Sequence, residues 1–308
     1  MTETKQHNSR IAGAVATFLG AVLFSTKAII VKKAFQDIKI DALSLLALRM
    51  ICAFPFYIVI ALYNSRKKDV QPLTKRQWIS VIVLGLFGYY ASSLLDFVGL
   101  QYVSAGLERL ILFLYPTFTV FINAYFFKLK VSRIQLLALV LTYTGIAVAY
   151  IGQLHIETAN SSFYWGSFLI LCCAFTYAIF IAGSGKMVPQ VGTGRFTSYS
   201  ILAAAGGVFL HFTLAGNYQA LHADSRFWGY ALLLATLATV IPTLLISYGL
   251  KSIGSNNVAI VSGIGPVSTI LQAHWVLGES IFPAQIAGTL LVITGVLLIG
   301  WKSRVVAE

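Results

Sequence analysis

The sequence has little charge and very little cysteine. Charged residues make up 10% of its 308 residues, whereas hydrophobic residues make up 58%. Soluble domains carry roughly 25% charged residues, so the composition excludes a protein that is mainly soluble. The three cysteines, Cys52, Cys172 and Cys173, all lie within apolar stretches. Neither their spacing nor their neighbours indicate a disulfide framework or a metal site.

The sequence also lacks the motifs of several enzyme classes. It contains no HExxH motif, no paired intramembrane aspartates, no acidic metal cluster and no nucleotide-binding loop. Ser184 lies between two glycines but has no convincing histidine partner. We therefore predict that the protein is not an enzyme, that it uses no cofactor or metal, and that this chain alone does not drive transport with ATP.

Apolar runs recur along the whole sequence. A run of about 20 residues can cross a bilayer as a helix, and a helix satisfies its own backbone hydrogen bonds in lipid. The runs predict an all-α integral membrane protein with ten transmembrane helices. The predicted spans are 11–33, 42–63, 77–98, 104–127, 132–151, 163–183, 196–214, 227–248, 255–277 and 283–301.

Lysine and arginine are unevenly distributed over the predicted loops. If the N-terminus lies in the cytoplasm, fifteen of these residues fall in inside segments and four in outside segments. Because cytoplasmic loops are enriched in lysine and arginine, we expect a protein of the cell (inner) membrane with both termini in the cytoplasm. The same distribution explains the net charge of +12 without a nucleic-acid partner.

The two halves of the sequence repeat at an offset of 150 residues. The alignment needs no gap over about 75 residues and matches two prolines, two tryptophans and two glutamines. The matched pairs include Trp78/Trp228, Pro116/Pro266, Gln135/Gln285 and Gly145/Gly295. Since each unit contains five spans, the second unit enters the membrane from the opposite face. The pattern predicts two inverted five-helix repeats, residues 1–151 and 152–308, an arrangement typical of secondary transporters.

Two segments carry a resemblance to a known family. The first half contains SAGLERLILFLYP and the second half contains GPVSTILQAHWVLGE. Together with the two five-helix halves, they resemble the EamA-type families of the drug/metabolite transporter superfamily. The first half departs from the family's end-of-repeat pattern at Lys128 and Lys130. The resemblance implies an alternating-access carrier of small metabolites, often an exporter of amino acids, with a cavity lined mainly by helices 1, 3, 4, 6, 8 and 9.

Five charged residues within or at the ends of the predicted spans are candidates for a functional role. A charge at the bilayer centre costs at least ~2.5–3.5 kcal/mol, so each needs a partner or a wet cavity. All five fall in the predicted outer half, and the second repeat has no charged counterpart to them. We therefore expect ion pairs to seal the outer passage and apolar packing to seal the inner one. The five residues are Lys27, Arg49, Asp96, Glu108 and Arg109.

The balance of these charges suggests a ligand site. Arg49 and Arg109 could pair with Asp96 and Glu108, which would leave Lys27 to bind a substrate carboxylate or to titrate. Alternatively, Lys27 snorkels to the outer headgroups or shares an acid with an arginine. Protons could couple to transport through these carboxylates or through His274, and uncoupled facilitation or exchange is equally open.

Two prolines occupy equivalent positions near the membrane centre. Pro116 and Pro266 each lie about 11–12 residues into a span, which is ~17 Å at ~1.5 Å per residue. Each proline lacks a donor for the carbonyl one turn earlier, near Leu112 and Ser262. A packing kink and a hinge at the central site are both compatible with this pattern.

Aromatic and polar residues on the predicted cavity-side helices complete the candidate set. Packing is the alternative role for each aromatic residue, and a hydrogen-bonded interfacial position is the alternative for His274. Glu279 is expected to have a structural role at a helix end. The candidates for substrate binding or gating are Lys27, Arg49, Tyr89, Tyr90, Asp96, Glu108, Arg109, Tyr115, Pro116, Tyr177, Ser262, Pro266, Gln272 and His274.

These features predict a secondary transporter that works by alternating access and exports or facilitates movement of amino acids or small carboxylate metabolites. The alternatives are an exporter of apolar or cationic drugs and, in a different class, a membrane-embedded enzyme or a non-transporting scaffold. The expected partners are a small-molecule substrate and the lipid bilayer. Whether protons are also bound is left open. The chain is expected to work as a monomer or homodimer.

Overall fold

A computed structural model describes residues 2–66, 71–128, 133–157, 162–219 and 225–302. Four cations that enter the loop count, Lys67, Lys68, Lys130 and Arg304, lie outside the described residues. Regular secondary structure in the described ranges is helical throughout. The helices are α1 (Thr2–Ile38), α2 (Ala42–Ser65), α3 (Lys75–Gly85), α4 (Ser92–Gly99), α5 (Ala105–Leu112), α6 (Tyr115–Phe127), α7 (Arg133–Glu157), α8 (Phe163–Val191), α9 (Thr193–Ala215), α10 (Ser225–Ala235), α11 (Ile241–Ser262), α12 (Gly265–Gln272) and α13 (Pro283–Lys302).

Among the described residues, seven helical segments are long and apolar enough to cross a membrane. Shorter apolar helices cover Leu136–Gly152 and Pro283–Gly295. The fold is therefore that of an all-helical, multi-pass membrane protein. The seven segments are Ile11–Ile38, Ala42–Ser65, Lys75–Gly99, Ala105–Phe126, Phe163–Val191, Thr193–Ala215 and Ser225–Ile253.

Small polar residues begin several helices. The Asp41 side chain accepts a hydrogen bond from the Ser44 backbone N–H at 2.8 Å. Thr74 caps α3 through a reciprocal pair of bonds with Gln77. Such caps satisfy backbone donors that have no partner within the helix. They explain why α2 and α3 begin close to the predicted starts of their spans.

One predicted loop is helical instead. The sequence predicts a gap between the eighth and ninth spans at 249–254, but α11 continues through it to Ser262. In the first half the matching gap exists, and Ser104 ends it by accepting a hydrogen bond from the Leu107 backbone N–H. The residue 150 positions after Ser104 is Gly254, which has no side chain for a cap. The α1 helix also runs beyond its predicted end at residue 33 and continues to Ile38.

The two halves share several element boundaries as well as sequence. The helices starting at Lys75 and Ser225 each contain a π-helical turn, at Leu86–Ala91 and Thr236–Val240. Both predicted breaks near the prolines are present: helix is interrupted at 113–114 and again at 263–264. These features coincide at the same offset of 150 residues that relates the sequences.

Helices α2 and α9 occupy matching positions in the two halves and pack antiparallel. The end of α2 meets the start of α9, where a Cβ on Gly194 would lie 2.7 Å from Asn64 Oδ1. Further along, the Phe54 and Phe209 rings pack with their centroids 5.7 Å apart. Residue numbers therefore rise along one helix as they fall along the other.

Helices α7 and α13 also correspond and also pack antiparallel, through glycines. A Cβ on Gly152 would lie 2.5 Å from Ala284 Cβ. One turn or more away, a Cβ on Gly288 would lie 2.3 Å from Gly145 O, and a Cβ on Gly145 would lie 2.5 Å from Gly288 O. The absence of side chains here lets the two backbones touch, as small residues do in many membrane helix pairs.

We expect Gly288→Ala to destabilise the protein by about 1–3 kcal/mol because its Cβ would collide with backbone that cannot swing aside. Gly229→Ala is the control, since a Cβ there meets nothing within 4 Å. Alanine should raise stability at that site by up to ~1 kcal/mol through helix propensity. Thermal unfolding of the two purified variants should therefore shift in opposite directions. Equal shifts would contradict a close α7–α13 contact.

Candidate functional site

A buried ion pair joins α1 to the end of α4. Lys27 Nζ lies 2.7 Å from Asp96 Oδ2, and their side chains are 15% and 0% exposed. The alternative in which Arg49 and Arg109 pair with both acids and leave Lys27 without a partner is therefore not the arrangement in the described residues. The long, flexible lysine side chain reaches Asp96 across the helix contact. Removing one member of such a pair would leave an uncompensated buried charge.

Glu108 adds a second acid to this pair. It lies on α5, is fully buried, and interacts electrostatically with Asp96, Lys27 and Arg109. Neither of its carboxyl oxygens has a hydrogen-bond donor within the described residues. Cys173 on α8 also borders the cluster. The predicted concentration of charge near the outer ends of α4 and α5 is thus a compact group with one lysine and two acids at its centre.

The two arginines interact with aromatic rings. Arg49 is 4% exposed, and its guanidinium carbon lies 5.4 Å from the centroid of the Phe97 ring. Arg109 lies at the same distance, 5.4 Å, from the Phe113 ring. Both are cation–π distances. Neither arginine pairs with a carboxylate in the part of the chain that the structure describes.

These arginines retain unused hydrogen-bonding capacity. Nε and Nη1 of Arg49 and Nε of Arg109 are buried without an acceptor among the described residues. A guanidinium presents a planar set of donors that matches a carboxylate. A buried, unsatisfied donor normally costs about 1–3 kcal/mol. The two side chains are therefore suited to bind an anion.

Two tyrosines interact with each arginine. Tyr57 and Tyr89 interact electrostatically with Arg49, whereas Tyr115 and Tyr177 interact with Arg109. The Tyr115 and Tyr177 rings pack edge to face with their centroids 5.1 Å apart. Tyr89 packs in the same manner against Phe180, at 4.9 Å. Three of the predicted aromatic candidates, Tyr89, Tyr115 and Tyr177, thus lie in one polar and aromatic region with the arginines.

The broken helices bring backbone to the same region. Pro116 and Pro266 stand in the first turns of α6 and α12, where the missing N–H leaves no helical bond unmade. Ser262 is the last residue of α11. A Cβ on Gly265 would lie 2.7 Å from Arg109 Nη2, so the start of α12 is in direct contact with this guanidinium. A side chain at residue 265 would therefore displace the end of the Arg109 side chain.

Three other candidates have different partners. Tyr90 hydrogen-bonds through its hydroxyl with His211 Nδ1 at 2.9 Å. Gln272 donates to the Val22 carbonyl at 3.3 Å and so ties α12 to α1. His274 is exposed, and its Nδ1 lies 2.8 Å from the Glu279 carbonyl oxygen. The structure thus separates His274 from the buried carboxyl groups, in line with its alternative interfacial role.

Glu279 connects distant segments, and its predicted role at a helix end is confirmed. Its carboxylate accepts hydrogen bonds from the backbone N–H groups of Ala105 and Gly106, at 2.9 and 3.3 Å. Lys32 donates to the Val103 carbonyl and lies 3.9 Å from Glu279. Lys32 was not among the sequence-predicted candidates because it lies at the end of the first predicted span, where it was counted with the outside cations.

Two surface cavities lie apart from the charged cluster. One, of about 480 Å³, is lined by apolar residues of α1 and by Leu245. The other, of about 520 Å³, lies between the start of α3 and the α8–α9 junction, next to Arg195. Among the described residues, no group of three or more His, Cys, Asp or Glu side chains could hold a metal ion.

The sequence and fold match known transporters over nearly the whole chain. The model of the EamA-like transporter family matches residues 11–151 and again 164–301. The uncharacterized transporter YcbK of Bacillus subtilis is 31% identical over 293 residues, 92% of each chain. An uncharacterized transporter of Archaeoglobus fulgidus is 22% identical over 291 residues, 94% of this chain and 96% of its own.

A solved structure has the same fold. The two chains superpose with a TM-score of 0.66 at 16% identity, covering 96% of this chain and 98% of the other. At this low sequence identity the similarity is evidence for the fold alone. The double family match and the transporters of similar sequence carry the functional assignment. The protein belongs to the EamA-like transporter family.

Proposed function

We propose that this transporter moves small carboxylates, amino acids among them, by alternating access. The observation that carries the proposal is the pair of arginines, Arg49 and Arg109, buried with unsatisfied donors and without a carboxylate partner in the described residues. A substrate carboxylate would satisfy those donors. The tyrosines that interact with these arginines offer hydroxyl groups and apolar faces for the rest of a small metabolite.

Both arginines fit this role better than Lys27. The lysine charge is already neutralised by Asp96 at 2.7 Å. Arg109 also touches the start of α12 at Gly265. The N-terminus of a helix carries partial positive charge, so a half-helix that begins there adds to the attraction for an anion. The proposed site therefore combines two guanidinium groups with one helix end.

The architecture supports a carrier made of two inverted halves, residues 1–151 and 152–308. A two-fold axis in the membrane plane reverses the direction of every corresponding helix. The corresponding pairs α2/α9 and α7/α13 are antiparallel where they touch, as such an axis requires. The shared π-helical turns and helix breaks also relate the two halves. Ten transmembrane helices arranged in this way would expose a central site to each face in turn.

The ion pairs define a closed outer passage in this proposal. Lys27, Asp96 and Glu108 form one layer, and Lys32 with Glu279 forms a second around the start of α5. The second half has no charges at the positions equivalent to Asp96, Glu108 and Arg109. The inner passage would then close by apolar packing. The loop charges support an inner-membrane location with both termini in the cytoplasm, and the working unit is a monomer or homodimer.

Counterflow tests the function. The purified protein is reconstituted in liposomes loaded with one compound, and uptake of its labelled form is followed for amino acids, organic acids and organic cations. We expect saturable exchange for at least one carboxylate, with matched pH on both sides and with an imposed pH gradient. Exchange of cations alone would favour the drug-exporter alternative. Inactivity of well-folded protein across the panel would contradict the carrier assignment.

We expect Pro116→Ala to slow counterflow by roughly tenfold, equivalent to about 1.4 kcal/mol in the barrier, with little change in membrane abundance. Alanine supplies an N–H that can bond the Leu112 carbonyl and extend helix across the break at 113–114. Pro55→Ala is the control, because Pro55 lies inside the unbroken helix α2 on an exposed face. Equal losses of rate and abundance would assign Pro116 a folding role.

A further inference from the structure

Two acidic side chains lie in the interior of the protein with fewer hydrogen-bond donors than their carboxyl oxygens can accept. Asp96 and Glu108 are both 0% exposed. Lys27 contacts one oxygen of Asp96, at 2.7 Å. Asp96 Oδ1 and both oxygens of Glu108 have no hydrogen-bond partner within the described residues. Three of the four carboxyl oxygens are thus buried without a donor.

The two carboxyl groups are close enough to interact directly. As carboxylates they are both acceptors, and two acceptors cannot hydrogen-bond to each other. A single added proton turns one of them into a donor and lets it bond the other. Two buried carboxylates that share a site commonly hold one proton between them, because two negative charges so close together repel each other. A proton on one of the two acids therefore supplies the missing hydrogen-bond donor.

The surrounding charges indicate which acid carries it. Lys27 from α1 contacts Asp96, Arg49 from α2 interacts with Asp96, and Cys173 from α8 borders both acids. Arg109, on the same helix as Glu108, is directed to the Phe113 ring. Asp96 therefore has a lysine in contact and Glu108 has none. A proton on Glu108 leaves the Lys27–Asp96 contact intact.

We propose that Asp96 and Glu108 form a proton-binding site, in which Glu108 carries the proton while Lys27 contacts Asp96. When the outer passage opens, water reaches the pair. The O–H bond of Glu108 then breaks, its electron pair stays on the carboxylate, and water takes the proton. Coupling of this proton to carboxylate movement rests on the function proposed above, whereas the proton site itself does not.

Infrared spectroscopy of the unmodified protein tests the site without a substrate. A protonated carboxyl group gives a C=O stretching band separate from that of carboxylates. We expect such a band at neutral pH in purified, lipid-reconstituted protein. It should shift when glutamate side chains are ¹³C-labelled and not when only aspartate is labelled. No such band at neutral pH, or a shift with aspartate labelling alone, would overturn the assignment.

Substitutions give the second test. The band should disappear in Glu108→Gln, which keeps the shape and neutral charge of the protonated acid. The control is Asp37→Asn, which removes a carboxyl paired with Lys33 at the surface and should leave the band unchanged. Persistence of the band in Glu108→Gln would contradict the proposal. If the band is present but counterflow is absent, the proton site stands and the proposed carrier function is rejected. If counterflow is present but the band is absent, the carrier function stands and the proton site is rejected.

Discussion

Arg109→Gln will weaken the apparent affinity for carboxylate substrates by about 10- to 100-fold. Hydrogen bonds to charged groups contribute about 1.5–3 kcal/mol, and each 1.4 kcal/mol is a tenfold change in affinity. The substitution removes a guanidinium that touches the start of α12 and has a buried nitrogen without an acceptor in the described residues. The measurement is the concentration dependence of counterflow in proteoliposomes, using whichever carboxylate the substrate panel identifies.

A matched arginine provides the control for this experiment. Arg195 also lies over an aromatic ring, at 6.0 Å from the centroid of Tyr199, and donates to the Gln71 carbonyl. It lies on α9 beside the second surface cavity, away from the proposed site. Arg195→Gln should leave the substrate affinity unchanged. Similar losses in both variants would show that removal of any arginine damages the transporter, and the carboxylate site would be rejected.

Lys27→Met will destabilise the folded protein by about 3–5 kcal/mol, the range observed when one partner of a buried ion pair is removed. Asp96 is fully buried, and Lys27 is its cationic contact at 2.7 Å. Methionine replaces the length of the side chain but not its charge. Urea or thermal unfolding of the purified variant measures the loss, and low yield in the membrane is expected to accompany it.

A double substitution separates charge from packing. Lys27→Met combined with Asp96→Asn removes both charges and should recover most of the lost stability, because no uncompensated carboxylate remains. Lys33→Met is the surface control: its partner Asp37 lies 3.0 Å away, and both side chains are well exposed. Exposed pairs contribute at most about 1 kcal/mol. If Lys27→Met is as mild as Lys33→Met, Lys27 does not stabilise the buried acid.

Sequence patterns predicted the fold well where they depend on backbone properties. The length of the apolar runs predicted the seven segments of the described residues that are long and apolar enough to cross a membrane, because a bilayer sets a minimum length for a span. The prolines gave the two breaks, at 113–114 and 263–264. The gap at 249–254 was wrong because polar residues such as Lys251 and Ser252 also occur within helices. In the first half, Ser104 caps the start of a new helix at the matching position. The second half has Gly254 there, and α11 continues without a break.

Sequence patterns predicted the membership of the charged cluster but not its pairing. Depth along each helix showed that Lys27, Asp96 and Glu108 lie at similar levels. Pairing depends on the rotation of each helix and on side-chain reach, and neither is encoded in apolar periodicity. The aromatic rings next to the two arginines differ in their distance along the sequence. Phe113 is one helical turn from Arg109, whereas Phe97 lies on a different helix from Arg49. Only the first contact could have been inferred from spacing.

The central claim is that the transporter recognises a carboxylate through its arginines. Competition in counterflow by matched compounds tests it most directly: an amino acid or organic acid against the amide of the same compound, which keeps size and shape but lacks the negative charge. We predict that the acid competes strongly and the amide weakly in the unmodified protein, and that Arg109→Gln narrows this difference. Equal competition by acid and amide in the unmodified protein would contradict the account.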